Sequence, residues 1–233
     1  MSLGLFGARP QAEAGFQTYT IIPAIVCSPI PAHLSFEQAC VLPLCLSTAA
    51  TGLFDKRTLA LRLPGVKGEK EEGKKETVLV WGAASSVGCN AIQLGVAAGY
   101  RVIATCSASN FALASSLGAD AVFDYKRPDV VAQVVAELES ARTAAGDGGF
   151  AGCLDAIHRH GAFEKCVEIV GGLKTGRKVV STVVPVVDEA LMKLVPEGVE
   201  IKTVFGSDLK VCYLCPPFAR NSPSLQSHQK KLS

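Results

Sequence analysis

Val78-Leu79-Val80-Trp81-Gly82-Ala83-Ala84-Ser85-Ser86-Val87-Gly88 runs from four apolar residues through five small ones into a helical pattern. A strand, a turn of small residues and a helix in that order form the first crossover of a dinucleotide-binding unit. There the backbone must approach a pyrophosphate closely and offer N–H groups at a helix N-terminus. Gly82, Ala83, Ala84, Ser85 and Ser86 are small enough for that approach, Val87 opens the helix, and Gly88 lets the helix lie close to the strand. The stretch departs from the G-x-G-x-x-G pattern, and a tight strand-to-helix turn without a ligand is the competing reading.

Working outward, the pattern stays regular. Apolar residues at Val87, Ala91, Leu94 and Ala98 recur at offsets of 4, 3 and 4, one face of a helix over 87–98, and Gly99 ends it. Strands are predicted at 77–81, 101–105, 121–123, 150–154, 178–182 and 201–205. Helices are predicted between them at 111–117, 129–144, 163–169 and 188–194, with Asp129 as an N-terminal charge or cap. That alternation predicts an α/β fold, a doubly wound parallel (Rossmann) sheet.

Composition agrees. Across 233 residues, 48% are hydrophobic and 19% charged, which excludes disorder for most of the chain. Lys+Arg number 23 and Asp+Glu 21, a balance that argues against a nucleic-acid partner. No sustained apolar stretch reads as a membrane span, since Pro23, Pro29 and Pro31 break the uncharged segment 14–36. The first ten residues carry no secretory signal, so a cytoplasmic location is expected. Nine cysteines, an odd number, suggest free thiols, most of them inside apolar runs. Only Cys212 and Cys215 have metal-ligand spacing, and no second Cys/His pair completes a zinc site, so no metal is expected.

Three further zones flank the regular block. Residues 1–50 hold few charges, several prolines and a β-like piece at Tyr19-Thr20-Ile21-Ile22. Residues 67–76 carry eight charges in ten positions, four of each sign, and 64–76 reads as a solvated loop. Residues 209–233 contain three prolines and no acidic residue, and read as a disordered tail.

Cofactor choice is read after the second strand, where an NAD-binding unit places an acid for the adenosine ribose. No acid occurs between Gly88 and Asp120. Ser107, Ser109 and Asn110 could instead act as neutral donors to a 2′-phosphate, although a polar loop without a ligand fits them equally.

Several segments carry a family resemblance: Phe16-Gln17-Thr18-Tyr19 with Leu34-Ser35-Phe36-Glu37-Gln38-Ala39, Leu42-Pro43-Leu44-Cys45-Leu46-Ser47-Thr48-Ala49-Ala50, the serine-containing turn 81–88, Leu117-Gly118-Ala119-Asp120, Phe123-Asp124-Tyr125 and residues 196–205. In that order they resemble the medium-chain dehydrogenase/reductase superfamily, in its zinc-independent quinone-reductase-like branch. Within it they resemble fungal zinc-binding-oxidoreductase-type proteins, including the trans-acting enoyl reductases of polyketide pathways. The resemblance implies a remnant of a GroES-like β catalytic domain and crossover at 1–50 and an NAD(P)-binding Rossmann domain at 51–208. It implies NADP(H) as cofactor, with Thr48 near the nicotinamide end, residues 82–88 at the pyrophosphate, and Ser107, Ser109 and Tyr125 at the 2′-phosphate.

The implied activity is hydride transfer to an activated C=C or a quinone. An enone, enoyl thioester or quinone is the implied substrate, and a polyketide synthase the implied partner. No general acid is identified. Because this resemblance covers only the last stretch of the catalytic domain, little turnover is expected of the chain alone. A catalytically incomplete nucleotide-binding fragment or non-catalytic module is the alternative. A short-chain dehydrogenase is discounted, because no Tyr-x-x-x-Lys pair occurs.

Overall fold

A computed structural model describes residues 17–22, 27–65, 76–144, 149–184 and 186–204. The charged run 67–75, the tail 209–233, Cys212 and Cys215 lie outside the described residues. Six parallel strands form one sheet: β1 (Thr77–Trp81), β2 (Arg101–Cys106), β3 (Ala121–Asp124), β4 (Phe150–Asp155), β5 (Val179–Thr182) and β6 (Glu200–Thr203). Their order is β3-β2-β1-β4-β5-β6. This is the doubly wound arrangement, whose switch point falls between β1 and β4.

Among the described residues, seven α-helices accompany the sheet: α1 (Phe36–Cys40), α2 (Leu42–Phe54), α3 (Ser86–Ala97), α4 (Phe111–Ser116), α5 (Val130–Ala144), α6 (Ala162–Gly172) and α7 (Glu189–Met192). Alternation along β1 assigns the two faces. Val78 and Val80 join a core with Ala49, Leu53, Ala91 and Ile92 under α2 and α3. Leu79 and Trp81 join Val130, Val134, Phe163 and Cys166 under α5 and α6. All five β1 residues are buried, as a central parallel strand covered on both sides requires.

The strand predictions hold to within a residue or two, and α6 extends three residues beyond its predicted end. The N-terminal expectation differs. Gln17 to Ile22 contains no strand, and Tyr19 and Ile21 are exposed, so the apolar letters there have no sheet to join among the described residues. Ser35 instead caps α1 through a reciprocal pair with Gln38: its hydroxyl accepts from Gln38 N–H at 3.3 Å, and its own N–H donates to Gln38 Oε1 at 3.0 Å. Helix α2 continues through residue 50 and packs on α3.

Leu154 on β4 is fully buried beneath α2, where a Cβ built on Gly52 would stand 2.6 Å from its Cδ1. Leu154→Ala is expected to destabilise the fold by about 2–5 kcal/mol in chemical denaturation. A loss below about 1 kcal/mol would show that α2 is not seated on the sheet as described.

Candidate functional site: the carboxyl edge of the sheet

The turn after β1 is built on two glycines. Gly82 has φ +82°, and a Cβ there would lie 2.3 Å from Ile157 Cγ1. Gly88 sits in the first turn of α3, where a Cβ would meet the Gly82 carbonyl oxygen at 2.3 Å and Ala83 Cα at 2.7 Å. The second clash is with backbone, which cannot step aside. Glycine at 88 is therefore what lets α3 begin directly on the turn.

Ser85 is the N-cap, its hydroxyl accepting from Gly88 N–H at 3.0 Å. Ala83 N–H donates to the Thr105 carbonyl at 2.8 Å and Gly82 N–H to Thr105 Oγ1 at 3.3 Å, which fastens the turn to the end of β2. Ser85 N–H closes the turn on the Gly82 carbonyl at 3.0 Å. The N–H groups of Ala84, Ser86 and Val87 have no acceptor among the described residues, the normal state of a helix N-terminus that can take an anion. With the two glycine close approaches, these residues fit a dinucleotide pyrophosphate.

One strand over, β2 ends at buried Cys106, whose thiol burial pushes upward in pKa, and the chain turns through Ser107, Ser109 and Asn110. Ser107 Oγ lies 3.1 Å from Ser109 Oγ and accepts from Asn110 Nδ2 at 2.9 Å. The three polar side chains thus form one cluster at the sheet edge. Beside it, Tyr125 N–H donates to the Cys106 carbonyl at 3.4 Å, so the residue after β3 is held against the end of β2. Tyr125 is 39% exposed.

Two lysines also reach this corner. Lys126 Nζ stands 6.0 Å from the Tyr125 ring centroid, and Lys165 Nζ donates to the Tyr125 carbonyl at 2.8 Å while lying 5.9 Å from the Trp81 ring centroid. Lys126, which follows β3, was not among the candidates read from the sequence. Its signal was its place directly after a strand-end tyrosine.

Thr48 behaves differently. It is buried in α2, and its Oγ1 donates to the Leu44 carbonyl at 2.7 Å. Asp129 does stand at the start of α5, where it pairs with Arg127 at 3.0 Å, and that guanidinium lowers its pKa. Among the described residues, no group of three or more His, Cys, Asp or Glu side chains could hold a metal. None of their helices is long and apolar enough to cross a membrane.

Comparisons with known proteins give the family. Residues 86–208, over half the chain, match the family model described as zinc-binding dehydrogenase. The chain belongs to that family, within the medium-chain dehydrogenase/reductase superfamily. It is 44% identical over 199 residues to dehydrogenase azaJ of Aspergillus niger, covering 85% of this chain and 54% of that protein. It is 39% identical over 168 residues to trans-enoyl reductase himH of Aspergillus japonicus, covering 72% and 45%. Among solved structures, the CurK enoyl reductase superposes with a TM-score of 0.59 at 18% identity, covering 90% of this chain and 54% of that one. The chain spans about half the length of these relatives. Its six-stranded parallel sheet with flanking helices is a Rossmann-like fold shared with these solved structures.

The Gly88 contact yields a direct test. Gly88→Ala is expected to destabilise the protein by about 1–3 kcal/mol, because the methyl group meets backbone on two sides. Denaturation of Gly88→Ala beside Gly95→Ala, whose Cβ would meet only side chains at 3.1 Å and beyond, checks it. Equal losses would contradict the close approach.

Proposed function

We propose that this dehydrogenase-family chain binds NADP(H) along the carboxyl edge of its sheet and serves hydride transfer to an activated C=C or a quinone. The observation that carries the proposal is the pairing of a glycine-tight turn at 82–88 with the β2–β3 corner, where the β2 exit carries no acid and the carboxylate that closes β3, Asp124, accepts the Lys126 N–H at 3.0 Å. That corner offers Ser107, Ser109, Asn110, Tyr125 and Lys126. When bound, the cofactor would supply the hydride and carry the redox chemistry.

The residues of the chain would do the rest by binding and orientation. The N–H groups of Ala84, Ser86 and Val87 would face the pyrophosphate. A 2′-phosphate would take hydroxyl and amide donors from the serine–asparagine cluster and the Tyr125 hydroxyl, with Lys126 adding a positive charge. An acid at the end of β2 would repel that phosphate, and none is there. Thr48, with its hydroxyl already engaged, would contribute a wall on the nicotinamide side.

The substrate class rests on the relatives. Several are named trans-enoyl reductases, and one solved relative was crystallised with NADP and 2-octenoyl-CoA. An enoyl thioester or enone is therefore the first substrate to try, and a polyketide synthase the first partner. A second reading is a nucleotide-binding module without turnover, in which the cofactor site is present and no substrate is reduced.

Calorimetric titration separates the cofactor reading from its competitors. NADPH is expected to bind more tightly than NADH. Lys126→Ala is expected to weaken NADPH by about two- to fivefold and leave NADH unchanged, and Tyr125→Phe should narrow the same gap. Equal affinities for the two nucleotides would refute the 2′-phosphate assignment. Steady-state assays with NADPH and small enones separate enzyme from module: turnover above background supports the first reading and its absence the second.

A further inference from the structure

A second polar cluster sits at the same edge, at the carboxyl ends of β4 and β5. Asp155 closes β4 and is fully buried. Its Oδ1 accepts the N–H groups of Ile157 at 3.0 Å and His158 at 2.9 Å, and its Oδ2 accepts the hydroxyl of Thr182, the last residue of β5, at 2.9 Å. Burial pushes the Asp155 pKa up, and those three donors act against that shift. Thr182 Oγ1 also lies 3.0 Å from His158 Nδ1. A hydroxyl has one hydrogen, and Asp155 takes it. His158 Nδ1 must therefore carry a proton and donate it to Thr182. In neutral His158 this leaves Nε2 as a bare acceptor, and Nε2 has no partner among the described residues.

The loop holding this ring is strained. His158 has φ 62° and His160 φ 58°, two side-chain-bearing residues in the left-handed region within three positions. The imidazole also packs on Phe163, with centroids 5.4 Å apart and the rings tilted by 60°. Asparagine adopts a left-handed backbone more readily and could still bond Thr182. Histidine adds only the outer nitrogen. The loop also adjoins the anion turn, because its Ile157 fills the space where a Gly82 side chain would be. In a sheet of this order, a dinucleotide whose adenosine half lies at β2 and β3 extends its other half across β4 and β5.

We infer that His158 contacts the nicotinamide-side ribose: its Nε2 accepts a hydrogen bond from a ribose hydroxyl, and Thr182 and Asp155 fix the tautomer that makes Nε2 an acceptor. This rests on the cofactor reading above. The sequence alone offered no sign of it, because His158 meets Thr182 across 24 residues through the pairing of β4 with β5.

The test compares whole NADPH with adenosine 2′,5′-bisphosphate, which carries only the adenosine half, on the 233-residue chain and its His158→Asn variant. Asparagine keeps the left-handed loop and the bond to Thr182 and deletes the outer acceptor. His158→Asn is expected to weaken NADPH by about three- to tenfold in calorimetry, with 2′,5′-bisphosphate affinity and melting temperature unchanged. In the unmutated chain, the nitrogen NMR signal of His158 Nε2 is expected to shift with NADP but not with the bisphosphate. Unchanged NADPH affinity in the variant, equal loss of both ligands, or an unmoved Nε2 signal would each overturn the assignment. Failure of the unmutated chain to bind either ligand would overturn the cofactor reading, and this inference with it.

Discussion

Everything at the carboxyl edge depends on one backbone contact, the first turn of α3 resting on the turn that precedes it. Gly88 makes the contact possible, because any side chain there would meet the Gly82 carbonyl and Ala83 Cα. With the helix seated that closely, Ser85 can cap it and Ala83 can bond the Thr105 carbonyl, which ties the β1 exit to the β2 exit. Leftover N–H groups then collect at one point of the edge. The alternation of β1 side chains serves the same end, sending Val78 and Val80 under α2 and α3 and Leu79 and Trp81 under α5 and α6.

Around that point the edge divides into two corners of different chemistry. The β2–β3 corner is polar, with a serine–asparagine cluster, Asp124 at the end of β3 and Lys126 beside the half-exposed Tyr125. The β4–β5 corner is an ordered chain of hydrogen bonds, from buried Asp155 through Thr182 to His158. The anion turn lies between them, with Ile157 reaching from the second corner into the gap left by Gly82.

Much of this was legible in the sequence. The small-residue turn between an apolar strand and a 3.6-period helix read correctly because both signals are local, and the six strands followed from short apolar runs closed by turn residues. The Tyr19-Thr20-Ile21-Ile22 stretch misread as β-like because a strand needs a neighbour, and letters do not say whether one is present. Lys126, Thr182 and His158 were missed for a related reason. Each gains its meaning from a residue on another strand or loop: Lys126 from the β2 exit, Thr182 from Asp155, and His158 from both Thr182 and the Gly82 turn. Parallel pairing, invisible along the chain, is what brings them together.

Amide hydrogen exchange with and without NADPH tests the central claim most directly, because it reads the whole edge in one experiment. The account predicts slowed exchange at residues 84–88, at 107–110 and 125–127, and at 157–158, with little change at the opposite ends of the strands. Binding that protects some other surface, or no protection at 84–88 under saturating NADPH, would contradict the placement of a dinucleotide on this edge.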